Sequence, residues 1–84
     1  MKDLLRCLAE KKGYGMVKVK DIEVLVRFYE HGEELVGSFW IPQEKTQEGI
    51  VFSAEIYRAV GSKDNIDGVV DDLFEHIKSL LEKL

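Results

Sequence analysis

Asp72 and His76 are the two residues whose types and spacing come closest to a reactive or metal-binding pair. They stand four positions apart in a segment of helical periodicity, so both side chains fall on one side of a helix. They could supply two metal ligands, or the carboxylate could support a protonated imidazole. Two side-chain ligands are too few for a protein metal site, so we predict no metal and no cofactor here. A small enzyme or metal-binding protein built around this pair is the least supported interpretation.

His31 and Cys7 are the other side chains with chemical potential. Glutamates surround His31 in the sequence, but it falls at a predicted hairpin tip, which rarely holds a metal geometry. Cys7 follows a cation, Arg6, yet it lies inside a predicted helix and has no histidine near it in sequence. A packed or boundary thiol is therefore favoured over a nucleophile.

The segment 63–74 partly matches an EF-hand calcium loop, because Asn65, Asp67 and Gly68 fall at its third, fifth and sixth positions. Lys63 and Phe74 occupy the first and last ligand positions, where calcium requires oxygen ligands. The acidic residues are better explained as charges favoured at a helix N-terminus.

The sequence contains no Gly-rich phosphate loop, no Ser/His/Asp arrangement, and neither HExxH nor CxxC. A chain of 84 residues also leaves little room for a deep pocket. We therefore predict no catalytic residues, and an enzyme is disfavoured.

Composition indicates one globular domain over residues 1–84, with 45% hydrophobic and 33% charged residues. The net charge of −4 weighs against a general nucleic-acid binder. No apolar run approaches the ~20 residues of a membrane span, and residues 1–6 lack a signal-peptide pattern. Together with the lone Cys7, these features predict a cytoplasmic protein. Abundant Lys and Glu give a weak indication of a heat-adapted source.

Apolar residues at helical spacing predict two helices. The first covers residues 2–12, and Gly13 is the residue suited to left-handed geometry at its end. The second begins near Ile66, after Ser62, Asp64 or Asn65 as its cap, and continues to the C-terminus.

Alternating apolar residues predict three strands between the helices. The first covers 22–29 and leads through a turn at His31-Gly32 into a second that ends at Pro42. This register sets Phe28 opposite Leu35 and Val24 opposite Phe39, so the apolar positions of both strands share one face. Residues 43–49 are predicted as a loop and residues 50–59 as the third strand. Lys20-Asp21 is either a bulge or a corner before the first strand.

The predicted fold is α+β: a three-stranded antiparallel meander with an N-terminal helix and a longer C-terminal helix packed on one face (αβββα). The opposite face is unusually apolar and aromatic for a solvated surface. Its predicted partner-binding residues are Leu25, Arg27, Tyr29, Val36, Trp40, Val51 and Tyr57.

These residues predict a non-enzymatic protein-interaction or regulatory module that forms a homodimer or binds a protein partner through this face. One alternative is a single-stranded nucleic-acid binder that stacks bases on Tyr29, Trp40 and Tyr57. A purely structural alternative is that residues 13–20 or a helix fold over the face and make it part of the core.

Overall fold

The computed structural model describes residues 1–83 and contains two helices and a sheet that they cover on one side. The elements, in chain order, are α1 (Lys2–Lys11), β1 (Tyr14–Val19), β2 (Ile22–His31), β3 (Glu34–Trp40), β4 (Pro42–Thr46), β5 (Gly49–Phe52), β6 (Tyr57–Ser62) and α2 (Ile66–Glu82). The main sheet is antiparallel, with strand order β1-β2-β3-β6, while β4 and β5 form a separate hairpin. The predicted α+β class, with a helix at each end of the strands, is confirmed.

Both helices end close to their predicted limits. Asn65 caps α2, since its side chain accepts a hydrogen bond from the backbone N–H of Gly68 at 3.1 Å. At the end of α1 the left-handed residue is Lys12, with φ 52°, and not Gly13 as predicted. Ion pairs from Lys2 to Asp71 and from Arg6 to Asp67 join the two helices along their exposed sides.

The buried core lies between the helices and the inner face of the sheet. α1 contributes Leu5 and Ala9, and α2 contributes an unbroken apolar stripe at helical spacing. The fully buried large side chains of this core, all less than 2% exposed, are Leu5, Val17, Val24, Val26, Phe28, Leu35, Phe39, Val70, Leu73 and Ile77.

Residues 14–19 form a fourth strand of the main sheet, which the sequence analysis did not predict. Lys20 and Asp21 are a two-residue hairpin loop with φ 49° and 65°, as in a type I′ turn. Val19 therefore pairs with Ile22, which explains why the apolar positions change phase at this point. The prediction of a bulge or corner was wrong, and β1 extends the sheet without folding over its outer side.

The predicted register of the β2–β3 hairpin was wrong by two residues. The loop is Gly32-Glu33, not His31-Gly32, and Gly32 supplies the positive φ of 63° at the first loop position. Phe28 consequently pairs with Gly37 and not with Leu35. A Cβ at Gly37 would lie 2.6 Å from the Phe28 ring, so the small residue makes room for the aromatic one. Because the shift is even, each side chain keeps its predicted face.

The predictions for residues 43–59 were also wrong. The expected loop at 43–49 contains β4 and the turn into β5, and the expected single strand 50–59 is divided into β5 and β6. Only β6 pairs with β3 in the main sheet. Residues 42–52 thus form a separate hairpin, which we call the arm.

Candidate interaction face

The side of the main sheet that faces away from the helices is the candidate functional surface, and we call it the outer face. Strand alternation places on it every second residue of each strand. These residues are Tyr14, Met16, Lys18, Glu23, Leu25, Arg27, Tyr29, His31, Glu34, Val36, Ser38, Trp40, Arg58, Val60 and Ser62.

Two apolar rows cross the outer face perpendicular to the strands. The first joins Met16, Leu25 and Trp40, and is called the Trp40 row. The second joins Tyr29, Val36 and Val60, and is called the Val60 row. Met16 is 38% exposed and Val60 is 47% exposed, whereas Val36 is buried. Each row therefore presents large apolar side chains to solvent without a covering helix.

A polar row separates the two apolar rows. It joins Arg27, Ser38 and Arg58, and Tyr14 continues it on β1, where the ring is 75% exposed. Ser38 is buried because the carboxylate of Glu55 covers it and accepts a hydrogen bond from its hydroxyl at 3.2 Å.

Arg58 fixes Glu55 over this row through two hydrogen bonds, Nε–Oε1 at 2.8 Å and Nη2–Oε2 at 3.0 Å. The hydrogen bond from Arg58 holds the pKa of the Glu55 carboxyl below its ordinary value, against the opposing effect of burial. Arg27 stacks over the Tyr29 ring at 4.9 Å from its centroid. The polar row is thus held in place by its own contacts.

Charged side chains mark both ends of the outer face. Beyond the Trp40 row lie Lys18 and Glu23, which are paired with each other, and the turn residues Lys20 and Asp21. Beyond the Val60 row lies Glu34, paired with His31. Within the described residues 1–83, Lys18, Lys20 and Glu34 form no ion pair with another part of the chain. These charges are therefore available to a partner.

The structure brings together most of the predicted partner-binding residues. Leu25, Arg27, Tyr29, Val36 and Trp40 lie on the outer face, as their alternation indicates. Neither residues 13–20 nor a helix covers them, because β1 joins the sheet edge and both helices pack on the other side.

Two predicted residues lie elsewhere. Val51 belongs to the arm, where it is 47% exposed. Tyr57 was predicted to face outward, but it pairs with Phe39 on the inner face and contacts α2. The break between β5 and β6 changes the phase of the alternation, which is why the outward prediction fails for Tyr57. The three aromatic residues proposed for base stacking therefore do not share one surface.

Sequence reasoning missed Tyr14, Met16, Arg58 and Val60 as members of the outer face. The first two were missed with β1 itself, although the phase change around Lys20-Asp21 is what a two-residue loop produces. Arg58 and Val60 were missed because one continuous third strand was assumed.

Tyr57, Asp72 and His76 form a polar cluster between β6 and α2. The Tyr57 hydroxyl donates toward both carboxylate oxygens of Asp72, each at 3.0 Å. The His76 ring stacks on the Tyr57 ring at 3.5 Å, and its Nδ1 lies 3.2 Å from Asp72 Oδ1. Asp72 is thus engaged by two neighbours, and the cluster joins the last strand to the second helix.

Tyr57 is expected to ionise only above its ordinary pKa of 10.0, because burial, the hydrogen bond to Asp72 and the charge of that carboxylate all raise its pKa. The stabilising effect of the neutral phenol should be complete below pH 10.0 and lost as the pH rises through the folded-state pKa. Absorbance titration of tyrosinate in the wild type and in Tyr57→Phe gives the Tyr57 step by difference. A midpoint at or below pH 10.0 would contradict this account.

Within residues 1–83, no three side chains of the types His, Cys, Asp and Glu come together as a metal site. Neither helix in the described part of the chain combines the length and apolarity needed to span a bilayer. Comparisons with family models, with curated proteins and with solved structures gave no match.

Proposed function

We propose that the chain is a non-enzymatic interaction module whose outer face binds a second copy of itself. The observation that carries this proposal is the order of rows along β2. From end to end the outer face reads charged, apolar, polar, apolar and charged, with Arg27 at its centre. Because this order is the same from either end, the pattern is self-complementary when one copy is rotated by 180° so that the ends of its strands are exchanged.

A twofold axis parallel to the faces and perpendicular to the strands performs this turn. It sets the Trp40 row of one copy against the Val60 row of the other, and the polar row against itself. It also brings Glu23 of one copy toward His31 of the other, since both lie on β2. Apolar surface is then buried against apolar surface, which favours association.

Trp40 is suited to carry most of the binding energy. It is only partly exposed, with Leu25 beside it in the same row. Tryptophan, tyrosine and arginine are the residues that dominate binding at protein interfaces, and the outer face presents all three types. The nearby Arg27–Tyr29 stack is already ordered, so less conformational entropy is lost when the face is covered.

We place the protein in the reducing cytoplasm, where Cys7 stays a thiol. Cys7 is free and exposed on α1, on the helical side of the sheet. Exposed thiols persist in reducing compartments and become oxidised or paired elsewhere.

Quenching of Trp40 fluorescence by acrylamide tests the proposal directly, because Trp40 is the only tryptophan in the sequence. Within a dimer the indole is covered, so quenching should be weak at high protein concentration. Dilution should release monomers and increase the quenching constant along a single binding curve. Quenching that stays constant across concentrations at which the mass changes would place the interface on another surface.

A further inference from the structure

The arm, residues 42–52, is poorly supported by its own chain. Each residue from 43 to 51 is exposed, including Ile50 at 43% and Val51 at 47%. The pairing of β4 with β5 is also irregular between Pro42 and Glu44. An isolated two-stranded hairpin is only marginally stable in water. Its exposed apolar side chains are therefore available to contact a surface outside the monomer.

The outer face alone is small for a stable dimer. Four strands about 4.8 Å apart and about six residues long give the face a flat footprint of roughly 400 Å². A typical stable interface buries about 800 Å² on each partner. A dimer of this chain therefore needs further contact area, and the arm is the exposed apolar element beside the face.

The arm also lies at the right end of the face. Together with Met16 and Glu23 of the outer face, its residues Pro42 and Ile50 line a groove of about 240 Å³. The arm thus projects beside the Trp40 row, on the outer side of the sheet. The twofold axis described above places this end of one copy over the Val60 row of the other.

From these positions we infer that each arm docks on the β2 end of its partner's Val60 row, so that Ile50 and Val51 of one copy contact Tyr29 of the second copy. This inference rests on the proposed function, because it requires the dimer through the outer face. The chemistry of the occupant is that of this end of the row: an apolar hairpin seated on the Tyr29 ring.

Charging β5 of the arm tests the inference. The double variant Ile50→Lys and Val51→Lys should raise the dimer dissociation constant at least tenfold in sedimentation equilibrium, with an unchanged circular dichroism spectrum. Gln47→Lys is the matched control, since it adds a charge to the arm without removing an apolar side chain, and it should dimerise like the wild type. Dimerisation of the double variant as tight as that of the wild type would overturn the inference.

Disulfide trapping gives a second, independent readout. In a Cys7→Ser background, Val51→Cys combined with Tyr29→Cys should give a covalent dimer on mild oxidation, whereas Val51→Cys combined with Leu4→Cys should not. If the trapped dimer fails to form while Trp40 still reports a dimer, the arm inference fails and the proposed function stands. If the wild-type protein is monomeric, both fail.

Discussion

Replacing Leu73 by alanine is expected to lower the free energy of unfolding by about 2–5 kcal/mol, because it removes buried methyl groups and leaves a cavity. Leu73 is 0% exposed and lies at the centre of the apolar stripe of α2. One of its methyl carbons lies against Gly37 of β3, where an added Cβ would be 3.3 Å away. The side chain thus fills the space between the helix and the middle of the sheet. Chemical denaturation followed by circular dichroism measures the loss.

Leu4→Ala is the matched control for this variant. The same atoms are removed from a helix, but Leu4 is 46% exposed, so the free energy of unfolding should change by less than about 1 kcal/mol. A loss below about 1 kcal/mol for Leu73→Ala itself would mean that α2 is peripheral to the core. That result would contradict the two-layer fold described above.

Replacing Trp40 by alanine is expected to convert the proposed dimer into a monomer. A residue at the centre of an interface commonly contributes 2 kcal/mol or more, which raises the dissociation constant about 30-fold. The helical signal should persist, since Trp40 lies on the outer face and the core lies on the other side of the sheet. Sedimentation and circular dichroism on the same samples separate the two effects.

Two controls limit the interpretation of Trp40→Ala. Leu4→Ala, on the helical side of the sheet, should leave the dimer intact, and its dissociation would place the interface on the helices. Global unfolding of Trp40→Ala with no change in the stoichiometry of the folded fraction would make Trp40 a core residue and would remove the interface hypothesis.

The helices and the faces of β2 and β3 could be predicted because they depend on local periodicity. The apolar spacing of α2 and the alternation from Ile22 to Phe28 each specify which side chains are buried. The exact hairpin register could not be predicted, because a shift of two residues keeps every side chain on its face. The close fit of Phe28 over Gly37, which distinguishes the two registers, is a contact between strands and leaves no local pattern.

The missed strands have a different cause. Lys20-Asp21 lacks the Asn-Gly or Asp-Gly pattern typical of a type I′ loop. The strand β1 was therefore not predicted, although its side chains alternate. The polar residues of β4 are typical of a loop, since an arm exposed along its length has no buried side to create alternation. For the candidate site, the β2 and β3 residues were therefore predictable, whereas Tyr57 depended on an unrecognised break before β6.

Sedimentation equilibrium of the wild-type protein over a wide concentration range tests the central claim most directly. A self-complementary outer face predicts a reversible equilibrium between the 9.6 kDa chain and a species of twice that mass, with no larger assembly. A mass of 9.6 kDa at every concentration would contradict the account.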